Sequence, residues 1–255
     1  MATADRSRAG GSFRAREGIA PAARSLAPTT VRDLLLVALT FSSGAVDAIS
    51  FIALGKVFTA FMTGNFVFLG LGLADAGGPD VLRVLIALAA FAAGVSAATR
   101  ITRAVKGSGL WTRGVTVTLG VAVVLQAVFV AIWVATSGQP GPGSGDVLTA
   151  VMALAMGVQS GAILTLNVKG VFTTAATATV MFLMRDVAAR SGSAATERAR
   201  LAGVLVALAA GATAGGLLLV HARTYAPVLP LGATAVIVAI ASLAMARDQV
   251  PAGSG

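Results

Sequence analysis

Eight apolar stretches follow one another along this chain, at about 31–54, 57–74, 82–101, 115–136, 147–168, 171–187, 201–222 and 228–247. A helix needs about 20 apolar residues to cross the hydrocarbon core of a bilayer. In lipid only helices and closed barrels satisfy every backbone polar group internally. Six of the stretches reach that length; 57–74 and 171–187 fall short, and the second carries Thr173, Thr174, Thr177 and Thr179 before Arg185-Asp186. The expected fold class is an all-α polytopic membrane protein with about six transmembrane helices and two short or re-entrant segments. Composition agrees, since charged residues make up only 11% of the chain, against about 25% in soluble domains.

Charge separates six spans from eight. Cytoplasmic loops of membrane proteins collect Lys and Arg. If all eight stretches cross from an inside N-terminus, the basic group Arg100, Arg103, Lys106 and Arg113 falls outside. If 57–74 and 171–187 dip in and return, only Lys56, Arg83 and Arg223 remain outside. The second arrangement is expected, with both termini cytoplasmic in a plasma or inner membrane. His221 and Arg223 fit it poorly.

The boundaries follow. Residues 1–30 read as a disordered basic tail carrying Arg6, Arg8, Arg14, Arg16 and Arg24. The apolar run from Val31 exceeds the roughly 7–15 residues of a signal-peptide core, so it reads as the first span. A first membrane repeat is expected over 31–136, a Gly/Pro linker over 137–146, a second repeat over 147–247 and a short tail over 248–255.

The repeat rests on two motifs. Val57-Phe58-Thr59 returns 114 residues later as Val171-Phe172-Thr173, and Thr63 then falls on Thr177. Upstream, Gly44-Ala45-Val46-Asp47-Ala48 pairs with Gly157-Val158-Gln159-Ser160-Gly161 if one residue is inserted between. Three full spans per half is an odd number, so the halves must insert in opposite orientations. A 3+3 inverted repeat is recurrent in secondary transporters, where interrupted elements meet near the midplane.

These same residues carry a resemblance. Gly44, Asp47, Ala48 and Phe51, then the run Val57 to Asn65, and later Gly157, Gln159 and Val171 to Thr177 resemble the YoaK family of bacterial membrane proteins. The similarity covers roughly 31–247. It implies an integral, roughly six-helix membrane protein and supplies no substrate. Ser160, where that family often has Asn, and Ala178, where a Gly would echo Gly64, depart from the pattern in the second half.

Polar groups at membrane depth are costly and usually line a solute path or a helix contact. Asp47 lies inside an apolar run about two turns before the Gly55-Lys56 break. It is read as a proton or cation site, or else as a structural partner of Lys56 or of the Thr/Asn cluster. Thr63, Gly64 and Asn65 suit the tip of a re-entrant hairpin, Gly by permitting close backbone approach and Asn by offering donors and an acceptor. A polar helix contact explains them equally. Lys56 and Lys169 precede the two V-F-T motifs and either attract an anion, helped by the following helix N-termini, or snorkel to the interface. Thr59 and Thr173 within those motifs, with Gln159, Ser160 and Thr177, complete the candidate substrate- or ion-binding set. Trp111 and Trp133 read as interfacial belt anchors.

Other classes find no support in the sequence. There is no H-E-x-x-H, Walker A or G-x-S-x-G motif and no Cys/His cluster, so neither an enzyme nor a cofactor or metal site is expected. The net charge of +9 is spread over several loops rather than forming one nucleic-acid footprint. The expected partners are the lipid bilayer, a small solute and a coupling ion, with no nucleic acid. Gly-rich stretches such as Gly211–Gly215 suit packing within one chain or in a homo-oligomer. The expected function is a small-solute transporter or channel. The alternative is a non-transporting sensor, scaffold or accessory subunit whose basic tail touches anionic lipid or a partner.

Overall fold

A computed structural model describes residues 27–105, 107, 109–168, 176–188 and 195–248. Its described residues form α1 (Pro28–Ala53), α2 (Met62–Leu73), α3 (Val81–Ala104), α4 (Arg113–Ala135), α5 (Pro142–Leu164), α6 (Ala176–Ala188), α7 (Ala195–His221), a 3₁₀ turn (Arg223–Tyr225) and α8 (Val228–Asp248). Six of these helices are long and apolar enough to cross a membrane. With 12 residues, α2 extends only about 18 Å at 1.5 Å per residue. That is short of a hydrocarbon core about 30 Å thick.

Local chemistry fixes several ends. Pro28 and Pro142 open α1 and α5, positions where the missing N–H is not needed. The Gly/Pro stretch 137–146 is therefore only partly a linker, since α5 begins inside it. Asp80 and Thr112 cap α3 and α4 by accepting from the Arg83 and Val115 amides, as N-cap side chains do. After α1, Gly55 (φ +84°) and Lys56 (φ +63°) turn the chain sharply through the left-handed region.

Side chains at the helix ends show which ends lie together. At the start of α3, Arg83 donates Nε to Asp146 Oδ1 (2.6 Å), Nη1 to the Leu54 carbonyl (3.2 Å) and Nη2 to the Pro142 carbonyl (3.1 Å). The end of α1 and the starts of α3 and α5 thus share one face of the bundle. Between α1 and α3 the chain leaves that face and returns to it, as expected of a re-entrant segment. Arg223 belongs to the same end: its Nε donates to the Gly138 carbonyl (2.6 Å), and Trp133 Nε1 donates to the Arg223 carbonyl (3.0 Å). Arg223 thus staples the α4–α5 turn to the end of α7. At the opposite end Arg200 of α7 bridges Asp33 of α1 at 3.3 Å.

Two parallel helix pairs make the closest contacts, α1 with α7 and α3 with α5. A Cβ on Gly44 would overlap the Leu208 carbonyl oxygen, and one on Gly211 the Phe41 carbonyl oxygen. Likewise a Cβ on Gly94 would overlap the Leu154 carbonyl oxygen, and one on Gly157 that of Phe91. Small residues allow this approach where lipid offers no hydrophobic drive for helices to associate.

The core is divided by depth. One apolar cluster holds Val46, Ile49, Leu54, Val57, Phe129, Trp133, Leu148 and Met156. The other holds Leu36, Leu39, Val115, Leu119, Ile163, Leu201, Val204 and Ile237. Between them, α1, α4, α5 and α8 contribute the fully or nearly fully buried polar residues Ser42, Ser43, Gln126, Gln159 and Thr234. Trp133, expected in an interfacial belt, is instead buried and stacked on Phe129 at 5.9 Å.

Candidate functional site

The re-entrant loop between α1 and α2 is held from both sides. Asp47 Oδ1, on α1, accepts from the Thr59 and Ala60 amides at 3.0 and 2.8 Å. Asn65, on α2 and fully buried, pairs with both polar groups of Phe58: Oδ1 accepts from its N–H (3.0 Å) and Nδ2 donates to its carbonyl (2.7 Å). The Ser50 and Thr59 hydroxyls share a hydrogen bond of 2.9 Å. Three consecutive loop residues, Phe58-Thr59-Ala60, thereby find partners for backbone groups that lipid would leave unmet.

Aromatic packing completes the cradle. Phe58 stacks on Phe51 (5.1 Å) and Phe68 (5.8 Å) and meets Phe61 edge-on (5.3 Å). A Cβ on Gly64 would lie 2.9 Å from both Phe58 and Phe61 rings. Gly64 is thus required by ring packing.

The electrostatics of Asp47 are local. It lies six residues before the end of α1, about 9 Å below it. Its carboxylate faces backbone amides immediately before the N-terminus of α2, where the helix dipole favours negative charge. Among the described residues it forms no ion pair with Lys56, so that expected alternative is not realised.

The polar stripe continues along α1. Ser43, Asp47 and Ser50 fall at i, i+4 and i+7, one face of a helix. Ser43 Oγ donates to the Leu39 carbonyl (3.1 Å) and accepts from Gln159 Nε2 (3.1 Å). On the neighbouring face, Ser42 Oγ lies 3.1 Å from Thr234 Oγ1, which gives its proton to the Pro230 carbonyl (2.9 Å) and accepts from Gln126 Nε2 (3.3 Å). Among the described residues, Gln126 Oε1, Gln159 Oε1 and Ser160 Oγ are buried without a hydrogen-bond partner. The belt therefore joins four helices and leaves oxygen acceptors over.

Comparison with known proteins bears on the family. Residues 35–240 match the family described as "Protein of unknown function (DUF1275)". The chain belongs to that family. It is also 33% identical over 159 residues to the UPF0700 transmembrane protein YoaK of Bacillus subtilis (strain 168), covering 62% of this chain and 68% of that relative. No solved structure matches. The likeness to that transmembrane protein and the six apolar helices together make this a multi-pass membrane protein.

Within this DUF1275 member the expected site residues divide. Asp47, Thr59, Gly64 and Asn65 come together around one loop, and Gln159 reaches Ser43 one turn from Asp47. Lys56, Thr63 and Thr177 are exposed at the chain's surface and do not join them. On α6 the buried threonine is Thr179, two residues beyond the one expected, because a helix turns about 200° in two residues. Ser160 is buried beside Gln159. Thr173 and Lys169 lie outside the described residues.

Sequence reading missed Ser42, Ser43, Ser50, Gln126 and Thr234. The i, i+4, i+7 spacing of Ser43, Asp47 and Ser50 was an available signal. A lone Gln126 in a 23-residue apolar helix was another.

Proposed function

We propose that this protein is a small-solute transporter or channel of the plasma or inner membrane, with both termini cytoplasmic, and not an enzyme. One observation carries the reading: polar side chains from four helices form a belt between two apolar clusters, with buried oxygens left without partners. Such groups are expensive at depth and mark solute or ion pathways by default. The proposed partners are the lipid bilayer, a small solute and a coupling ion, with no nucleic acid and no cofactor, and a homo-oligomer is compatible with the small-residue faces.

A 3+3 inverted repeat belongs to the same proposal, and the glycine contacts support it. The contact of Gly44 with Leu208 is matched by that of Gly157 with Phe91, and Gly211 with Phe41 by Gly94 with Leu154. Positions in α1 map onto α5 at one constant shift (41 to 154, 44 to 157). Positions in α3 map onto α7 at another (91 to 208, 94 to 211). The short α2 and α6 occupy like places in the two halves. In this arrangement Asp47 and the polar belt form the path, and the re-entrant loop is the element that moves.

The step from an inverted repeat to transport is an analogy of architecture. A second reading, a sensor, scaffold or accessory subunit, is favoured by the way Asp47 and Asn65 direct their hydrogen bonds to the chain's own backbone. The Cys-free background allows a clean test. A transport path must become wet, so the thiol introduced by Ser43→Cys is expected to react with a membrane-impermeant reagent from at least one side. Solute-driven currents in proteoliposomes should then be lost in Asp47→Asn while the protein stays monodisperse. A thiol at position 43 that is inert from both sides, with no current for any solute, favours the second reading.

A further inference from the structure

The two buried glutamines share one feature of their chemistry. Each amide donates to a hydroxyl whose single proton is already committed to a helix carbonyl: Ser43 to Leu39, and Thr234 to Pro230. In this arrangement those hydroxyls accept from the amide, so each glutamine presents Nε2 to its partner and leaves Oε1 over. The observed orphans are these two carbonyl oxygens, Gln126 Oε1 and Gln159 Oε1, together with the hydroxyl of Ser160. Gln126 and Gln159 are fully buried and Ser160 is 93% buried, being 7% exposed. An orphaned buried acceptor forfeits about 1–3 kcal/mol. The surplus consists of oxygen lone pairs.

Of the two glutamines, Gln159 stands near a carboxyl group. Its partner Ser43 is four residues from Asp47 on the same face of α1, about 6 Å along the axis. No Lys or Arg pairs with Asp47 among the described residues. Neutral oxygens with a single carboxylate nearby balance one positive charge. A divalent ion would call for several carboxylates or waters, and no group of three or more metal-binding His, Cys, Asp or Glu side chains occurs among the described residues.

We infer that the α1–α5 contact is a binding site for a monovalent metal cation, with Gln159 Oε1, Ser43 Oγ and Ser160 Oγ as neutral oxygen ligands and Asp47 as the counter-charge one turn away. This deepens the transport reading by naming the class of the coupling ion, and it rests on that reading only for the coupling. Asp47 then has two roles, holding the re-entrant loop and balancing the ion. Cation entry and loop position are linked through the same carboxylate.

Equilibrium binding tests the inference without requiring flux. Thermal unfolding of the purified full chain is followed by Trp fluorescence while NaCl, KCl or LiCl replaces choline chloride at constant ionic strength. Wild type is expected to show a saturable rise in Tm with at least one of the three cations. Thr213→Ala, on the outer face of α7, should keep that rise and its midpoint. Gln159→Leu should abolish it, and Asp47→Asn should move the midpoint up by tenfold or more. If Gln159→Leu does not fold, Gln159→Glu carries the test, since an added carboxylate should lower the midpoint at least fivefold.

A Tm that does not distinguish the metal cations from choline overturns the site. So does an unaltered response in folded Gln159→Leu, or an unaltered midpoint in Gln159→Glu. A response to pH alone overturns it in favour of a proton. Solute flux without any cation effect leaves transport standing and removes only this assignment; cation binding without flux does the reverse.

Discussion

Replacing Asn65 by Ala separates a staple from a solute ligand. The Asn65 amide is fully buried and makes two hydrogen bonds to Phe58, one to its N–H and one to its carbonyl. Truncation leaves both backbone groups without their partner, at about 1–3 kcal/mol each. Water cannot readily replace the amide at this depth. Because Asp47 and Ser50 still hold the adjacent residues, the loop relaxes only in part, and a loss of about 3 kcal/mol is expected. At about 2–4 °C per kcal/mol for a chain of this size, Tm should fall by about 6–12 °C in detergent or nanodiscs. Asn65→Asp should be no better than Ala. It keeps an acceptor for the Phe58 N–H but sets an oxygen against the Phe58 carbonyl, 2.7 Å from the present Nδ2. A residue that merely lines a solute path would tolerate either change with little effect on unfolding. Variants that both unfold within 2 °C of wild type would refute the staple and return Asn65 to the lining of a path.

Three further outcomes follow from the packing and the topology. Gly211→Ala should lower stability by about 2 kcal/mol, within the usual cost of overpacking, because its Cβ meets the Phe41 backbone; Gly203→Ala, whose nearest neighbour would be Val37 Cγ2 at an ordinary 3.6 Å, should be neutral or slightly stabilising through helix propensity. Thermal unfolding of the two variants side by side checks this pair. Thiols introduced by Ala76→Cys and Gly107→Cys should react from opposite sides of the membrane, Ala76 from outside; labelling of both from one side would contradict a returning α2. Arg83→Ala should destabilise its end of the bundle by more than a lone surface ion pair, which is worth about 0–1 kcal/mol, because it also strips a donor from the Leu54 and Pro142 carbonyls; a change in Tm no larger than that of Asp146→Asn would count against it.

Much of this architecture was legible in the order of the residues. The six long apolar runs, the shortness of 57–74 and 171–187, and the basic loop after α3 follow from span length and charge, quantities that need no partner to be measured. The cluster at Asp47 and Asn65 was visible because strongly polar residues interrupt an apolar run. Which way each side chain points was not. A soluble helix advertises its inner face by alternating apolar and polar residues. A helix in lipid is apolar on both faces, because the surrounding hydrocarbon resembles the core. Thr63 and Thr177 therefore looked as eligible as Asn65 and Thr179, and only the rotation of α2 and α6 against their neighbours set them outside. The polar belt was hidden for the same reason. Ser42, Gln126 and Thr234, which join Gln159 in it, lie on three further helices. Their hydrogen bonds exist only once α1, α4, α5 and α8 are packed together. Residue order alone is enough for a membrane protein with six helices long enough to span and two shorter apolar segments; packing sets which few polar atoms meet inside it, since in a uniformly apolar helix only contact with a neighbour distinguishes one face from another.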